Sequence, residues 1–186
     1  AAVRAQLLAE PAPDLAQKAA DLIKAAGLPV RLDEKQGFDH GCFVPAYVMY
    51  PDASVPVFQV SLRKGYDPAD HFALGRALAP LRDEGVLIVG SGLSYHNLRY
   101  FGPAAKEPSE AFDAWLAETM AKPATERTDR LIHWEKAPNA RICHAQEDHL
   151  VPLFAALGAA EGDKASMVYH EKGLFGGVTA SSYRLG

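Results

Sequence analysis

The sequence is short of basic residues, of cysteine and of long apolar runs, and each shortage closes off a class of function. Asp and Glu number 23 against 19 Lys and Arg, a net charge of −4, with no basic run. Nucleic acids and anionic membranes need a clustered basic face, so neither is expected as a partner. No stretch approaches the ~20 apolar residues of a membrane-spanning helix. The opening residues lack the charged-then-apolar order of a signal peptide, so a cytoplasmic location is expected. The 2 cysteines, Cys42 and Cys143, form no CxxC pair and read as free thiols of a reducing compartment. There is no G-x-S-x-G elbow, which disfavours a serine hydrolase. The glycines from Gly173 to Gly177 lack the strand-to-helix setting of a dinucleotide fingerprint and read as a turn. No repeat, low-complexity tract or interdomain linker interrupts the chain.

What remains is ordinary for one soluble globular domain: 186 residues, 48% hydrophobic and 23% charged. Helical and strand patterns alternate along it. Asp14 can cap a helix to Ala26, with Leu15, Ala19, Leu22 and Ile23 on one face and Gly27 as its stop. Pro29 to Leu32 reads as a short strand. Asp39 can cap a second helix over Phe43 to Tyr50, with Pro45 in its first turn. Val55 to Leu62 and Val86 to Val89 read as strands, separated by a helix from Asp67-Pro68 to Glu84 with the stripe Phe72, Leu74, Leu78 and Leu81. Further helices are expected over Ser109–Met120, Thr125–Trp134 and Glu147–Ala156, and final strands over Met167–Tyr169 and Thr179–Tyr183. This alternation predicts an α/β fold, a single domain with a mainly parallel central sheet flanked by helices.

Three histidine clusters could carry chemistry. His96 and Asn97 follow the strand Val86–Val89 in a loop with Gly90, Ser91 and Gly92. Ligands of open α/β sheets bind beyond the carboxyl ends of strands, and the glycines leave room for one near the imidazole. That imidazole can bind a metal, move a proton or simply bond a loop carbonyl. His144 and His149 bracket a stretch before an apolar helix. Five-residue spacing does not set two side chains on one helical face, so this is not a HExxH zinc pair. His149 is placed in the first helical turn facing the site, His144 in the loop before it, and Glu147 and Asp148 as charges suited to a helix N-terminus. Asp39 and His40 by themselves read as a cap and an exposed first-turn residue. His71, His133 and His170 read as capping or surface residues.

The wording of several segments adds to this. Arg82 to Val89 with Gly90-Ser91-Gly92 and His96-Asn97-Leu98 is one; Gly37 to Gly41, Met49 to Ala53 with Val55-Pro56-Val57, His144 to Leu153 and Ser182 to Gly186 follow. In this order, and from about Pro11 onward, they resemble class III extradiol ring-cleavage dioxygenases of the LigB type, closest to the DOPA-dioxygenase-like branch. The resemblance implies a mononuclear Fe(II) or Zn(II) site and cleavage of a catechol-type ring by O2. It implies His149 and His96 as metal residues, with His96 or His40 as the acid/base group. It implies substrate contacts from His40, Asn97, His144 and Tyr183, and leaves Glu147 as a minor alternative ligand. Two other classes stay open, a zinc-binding member without oxygenase activity, hydrolase-like, and a non-catalytic subunit. The family's HGSP and SAHW metal motifs do not occur here. The chain is therefore expected to be the carboxyl-terminal portion of such a domain, with the remaining ligands supplied upstream of Ala1 and no tight metal binding by this portion alone. A sheet edge left open in that way would invite a homo-oligomer or association with that segment.

Overall fold

The structure is a computed structural model that describes residues 12–33 and 35–186. It divides into two compact units, one taking the chain up to Ser61 together with Ala77–Leu87, the other Leu62–Arg76 together with Ile88–Gly186. Each unit is built from separated stretches of chain. One of the three crossings between them, Arg76 to Ala77, falls inside a helix, where no linker composition marks it.

In the first unit, α1 (Pro13–Ala25) buries Ala19, Ala20 and Ile23 and carries Pro13 and Asp14 in its first turn rather than using Asp14 as the cap. Gly27 ends it at φ +75°, a conformation a side chain would resist. α2 (His40–Met49) starts as expected, with the Asp39 side chain accepting the Cys42 N–H at 3.1 Å. The Gln59 amide exchanges two further bonds with Asp39, one to its backbone N–H and one to its carboxylate. Segment 29–32 makes no ladder.

α3 (Pro68–Leu78) runs on as a 3-10 turn over Ala79–Glu84. Asp67 accepts the Asp70 N–H at 3.0 Å to cap α3, and all four stripe residues, Phe72, Leu74, Leu78 and Leu81, are buried. His71, expected at a cap or in solvent, is fully buried: one ring nitrogen bonds the Asp67 carbonyl at 2.7 Å and the other accepts the Arg63 N–H at 3.2 Å.

The second unit holds the main core. α4 (Lys106–Met120), α5 (Ala124–Ile132), the short α6 (Ala140–Cys143) and α7 (Val151–Ala159) enclose Phe72, Phe112, Leu116, Leu131, Trp134 and Phe154. Phe72 and Phe154 stack at 5.6 Å. α3 meets α7 through glycines. A Cβ on Gly75 would strike the Ala155 carbonyl oxygen, and one on Gly158 the Phe72 carbonyl oxygen.

The sheet differs from expectation. Among the described residues the ladder is a two-stranded antiparallel hairpin, β1 (Ala165–Leu174) with β2 (Val178–Leu185), pairing Met167 with Tyr183 and His170 with Ser181. Phe175, Gly176 and Gly177 make its turn, with Phe175 and Gly176 at positive φ, as is Gly173 near the end of β1. α4 lies against β2, and Ser109 Oγ accepts the Thr179 N–H at 3.0 Å. Among the described residues the segments 55–62 and 86–93 form no ladder beyond an isolated bridge at Val57, and Leu87 and Val89 are exposed. One physical reason in the second segment lies in where a donor goes. At the end of the second segment the Leu93 N–H bonds the His149 carbonyl rather than a neighbouring strand. An apolar run dictates extension; a ladder also needs a partner. Among the described residues no helix is long and apolar enough to cross a membrane.

Candidate metal centre

Four bonds zip residues 93–97 to residues 142–149 in antiparallel sense. Leu93 N–H donates to the His149 carbonyl at 3.0 Å and His96 N–H to the Cys143 carbonyl at 2.9 Å. The Asn97 amide donates to the Ile142 carbonyl at 2.7 Å, and the His144 ring to the Ser94 carbonyl at 3.0 Å. Gly90 and Gly92 make this approach possible. A Cβ on Gly92 would overlap the His149 carbonyl oxygen, and one on Gly90 the Pro152 carbonyl oxygen. Neither glycine needs a positive φ. They serve close backbone approach to the entry of α7, where the sequence suggested a bend and space for a ligand.

The zipper lays the His96 ring over the His149 ring, centroids 3.4 Å apart and planes 16° from parallel. Asp148 joins them. Its Oδ2 lies 3.0 Å from His149 Nδ1, and donor atoms of His96, Asp148 and His149 all fall within 4.8 Å of one another. All three side chains are partly buried. Two imidazoles and a carboxylate are a donor set that suits non-haem Fe(II) and also zinc. Asp148 is the residue that sequence reading missed. It passed as a helix N-terminal charge, but α7 begins only at Val151, so Asp148 and His149 occupy the turn before it. The neighbouring Glu147 is turned to other work. Arg141 binds it at 2.7 Å while stacking on Trp134, and Glu147 lines a cavity with Tyr66, Asp67 and Trp134.

The other sequence candidates are placed as follows. Asn97 spends its amide on the loop, donating to Ile142 and accepting the Arg99 N–H at 3.1 Å. His40 is the exposed first residue of α2, in the first unit. Tyr183 is half-buried on β2, its phenol pushed up to about 12 by burial and then by the Asp113 carboxylate, so it stays protonated. His144, expected to face the site from its loop, has no exposed surface. Its ring packs edge-on to Phe112 at 5.1 Å and Trp134 at 5.8 Å. It acts as a buttress beneath Ser94 rather than as a surface that a substrate reaches.

Burial drives the His144 pKa down to about 4, against the smaller opposing effect of its bond to the Ser94 carbonyl. That bond makes Nε2 the protonated nitrogen of a neutral ring. The unfolded chain takes up this proton near the ordinary value of ~6.5, the folded protein only near 4, so the unfolded state binds more protons in between. Stability from this group is complete above pH ~6.5 and falls as the pH drops through 4, by about 3 kcal/mol on the linkage relation. Urea midpoints measured from pH 7 to pH 4 are expected to show this loss, and His144→Gln, which keeps a donor for Ser94 but does not titrate, is expected to shrink it.

Comparison with known proteins identifies the family. The profile of the family described as the catalytic LigB subunit of aromatic ring-opening dioxygenase matches residues 1–186. The chain is 39% identical over 163 residues to a 4,5-DOPA dioxygenase extradiol of Beta vulgaris, covering 85% of this chain and 60% of that protein. It is 32% identical over 179 residues to the 4,5-DOPA dioxygenase extradiol of Escherichia coli K12, covering 94% and 65%. The chain thus spans about 60% to 65% of the length of these curated relatives. The crystal structure of an uncharacterized protein from Escherichia coli K12 superposes with a TM-score of 0.84 at 30% identity, covering 97% of this chain and 75% of the other.

Proposed function

This chain belongs to the LigB family, and on that footing we propose that it serves the extradiol cleavage of a catechol-type aromatic ring by O2 at a single non-haem metal. The observation that carries the reading is the meeting of His96, Asp148 and His149 at the entry to α7. His96 is far in sequence from the adjacent pair Asp148 and His149, and backbone bonds from Leu93 and His96 bring the two segments together. In this reading His149 is a metal ligand and His96 stands at the same ion. Bound there, Fe(II) would supply open positions at which both catechol oxygens and dioxygen are held side by side.

The protein's own residues supply the rest. His96 sits on a loop pinned at its backbone N–H, so its imidazole is held in place to take a catechol proton and return it later in the reaction. His40 is kept as the second acid/base candidate and as the contact to the ring hydroxyls. Tyr183, a neutral phenol, is kept as a substrate contact that the family resemblance suggests. Asn97 and His144 hold the loop and contribute indirectly. The names of the relatives make a dihydroxyphenylalanine the first catechol to try.

The test is anaerobic loading with Fe(II) of the purified protein together with the upstream segment expected to supply further ligands, then addition of the catechol in air. Oxygen uptake matched to loss of the catechol is expected, and none from zinc-loaded protein. Iron-loaded protein of confirmed metal content that consumes no oxygen with any catechol would sink the proposal.

A further inference from the structure

The geometry points to Asp148 as a positioning residue, whose carboxylate holds the His149 ring with its proton on Nδ1 and so presents the Nε2 lone pair as the ligand atom. This rests on the reading above only in taking His149 as a metal residue. The Nδ1 atom is shut off from solvent, yet the side chain as a whole is 24% exposed. With Nδ1 facing Asp148, Nε2 is the ring nitrogen left to serve as the ligand atom.

A carboxylate oxygen is an acceptor alone. At 3.0 Å from Nδ1 it is attracted to an N–H and repelled by a lone pair, so the pair selects the Nδ1–H tautomer. The contact is an ion-pair approach rather than a straight hydrogen bond, and the ring needs other restraints. It has two. The His149 backbone is anchored by the Leu93 N–H against Gly92, and the His96 ring stacked on its face limits rotation. Charge is kept for this contact, because Arg141 takes the adjacent Glu147 and also Glu135. A carboxylate behind a ligating imidazole fixes its orientation and raises its basicity, and removing such a partner costs about 10–100-fold in metal affinity or activity.

The rival arrangement makes Asp148 a ligand itself, and the two are separable. Long-range 15N–1H correlation spectra of the metal-free protein report the tautomer directly. The Nδ1–H form is expected for His149 in the wild type, shifting towards Nε2–H in Asp148→Ala. Zinc affinity, read by chelator competition, is expected to fall about 10–100-fold in Asp148→Ala. It is expected to recover most of that in Asp148→Asn, whose amide oxygen still accepts from Nδ1–H. An Nε2–H tautomer in the wild type overturns the assignment. So does an Asp148→Asn variant as impaired as Asp148→Ala with a changed Co(II) absorption spectrum, the signature of a lost ligand. A wild type that binds no metal even with the upstream segment present would remove the functional reading above, while its tautomer would still decide the role of Asp148.

Discussion

His96→Gln is expected to lower catechol turnover by about 10²–10⁴-fold, the loss associated with removing a general acid–base group, while metal content and catechol affinity stay near wild type. Glutamine keeps a polar side chain of similar reach but cannot exchange a proton near neutral pH. The loop should survive the change, because position 96 is held through its backbone N–H to Cys143 and its neighbour Asn97 through Ile142. Steady-state turnover, metal analysis and catechol titration on the same preparation separate the outcomes. Metal loss would make His96 a ligand, and unchanged turnover would remove it from both roles and leave His40 as the acid/base group.

Gly92→Ala should damage stability and site together. The new Cβ would occupy the space of the His149 carbonyl oxygen, the acceptor of the Leu93 N–H. Backbone stands against it, not a flexible side-chain end, so either segment 86–93 or the turn carrying Asp148 and His149 has to move. Overpacking of this kind costs about 1–3 kcal/mol, and a displacement of about 1 Å in a catalytic group can cost 10²-fold in rate. A lower urea midpoint, weaker zinc binding and a turnover drop of about 10²-fold are expected together. Gly162→Ala is the control, since nothing lies within 4 Å of a Cβ there and its φ is not in the left-handed range; it should stay within about 0.5 kcal/mol. If Gly92→Ala matches that control, the close approach of the glycine segment does not position His149.

Much of the local structure was legible because its causes are local. Asp39 and Asp67 announce the starts of α2 and α3, the spacing of Phe72, Leu74, Leu78 and Leu81 announces a buried face, and the glycines after Leu174 and before Val178 announce the hairpin turn. His96 and His149 were legible as candidates because one follows an extended apolar segment and the other precedes an apolar helix. Their relation to one another was not. Which carboxylate stands beside His149 depends on where the helix actually begins, and a start at Val151 rather than Glu147 turns Asp148 into a site residue while Arg141 draws Glu147 away.

The same holds for His144 and for the sheet. A histidine in a loop reads as available until Phe112, Trp134 and the Ser94 carbonyl close around it. An apolar extended run reads as a strand until its terminal N–H is found on the carbonyl of a turn. Sequence by itself determined the helix starts, the apolar faces and the identity of the imidazoles, since each follows from the chemistry of a few neighbouring residues. Tertiary structure alone decided the ring stacking and the buried buttress, because each depends on atoms some 50 residues away that only the folded backbone brings within bonding distance.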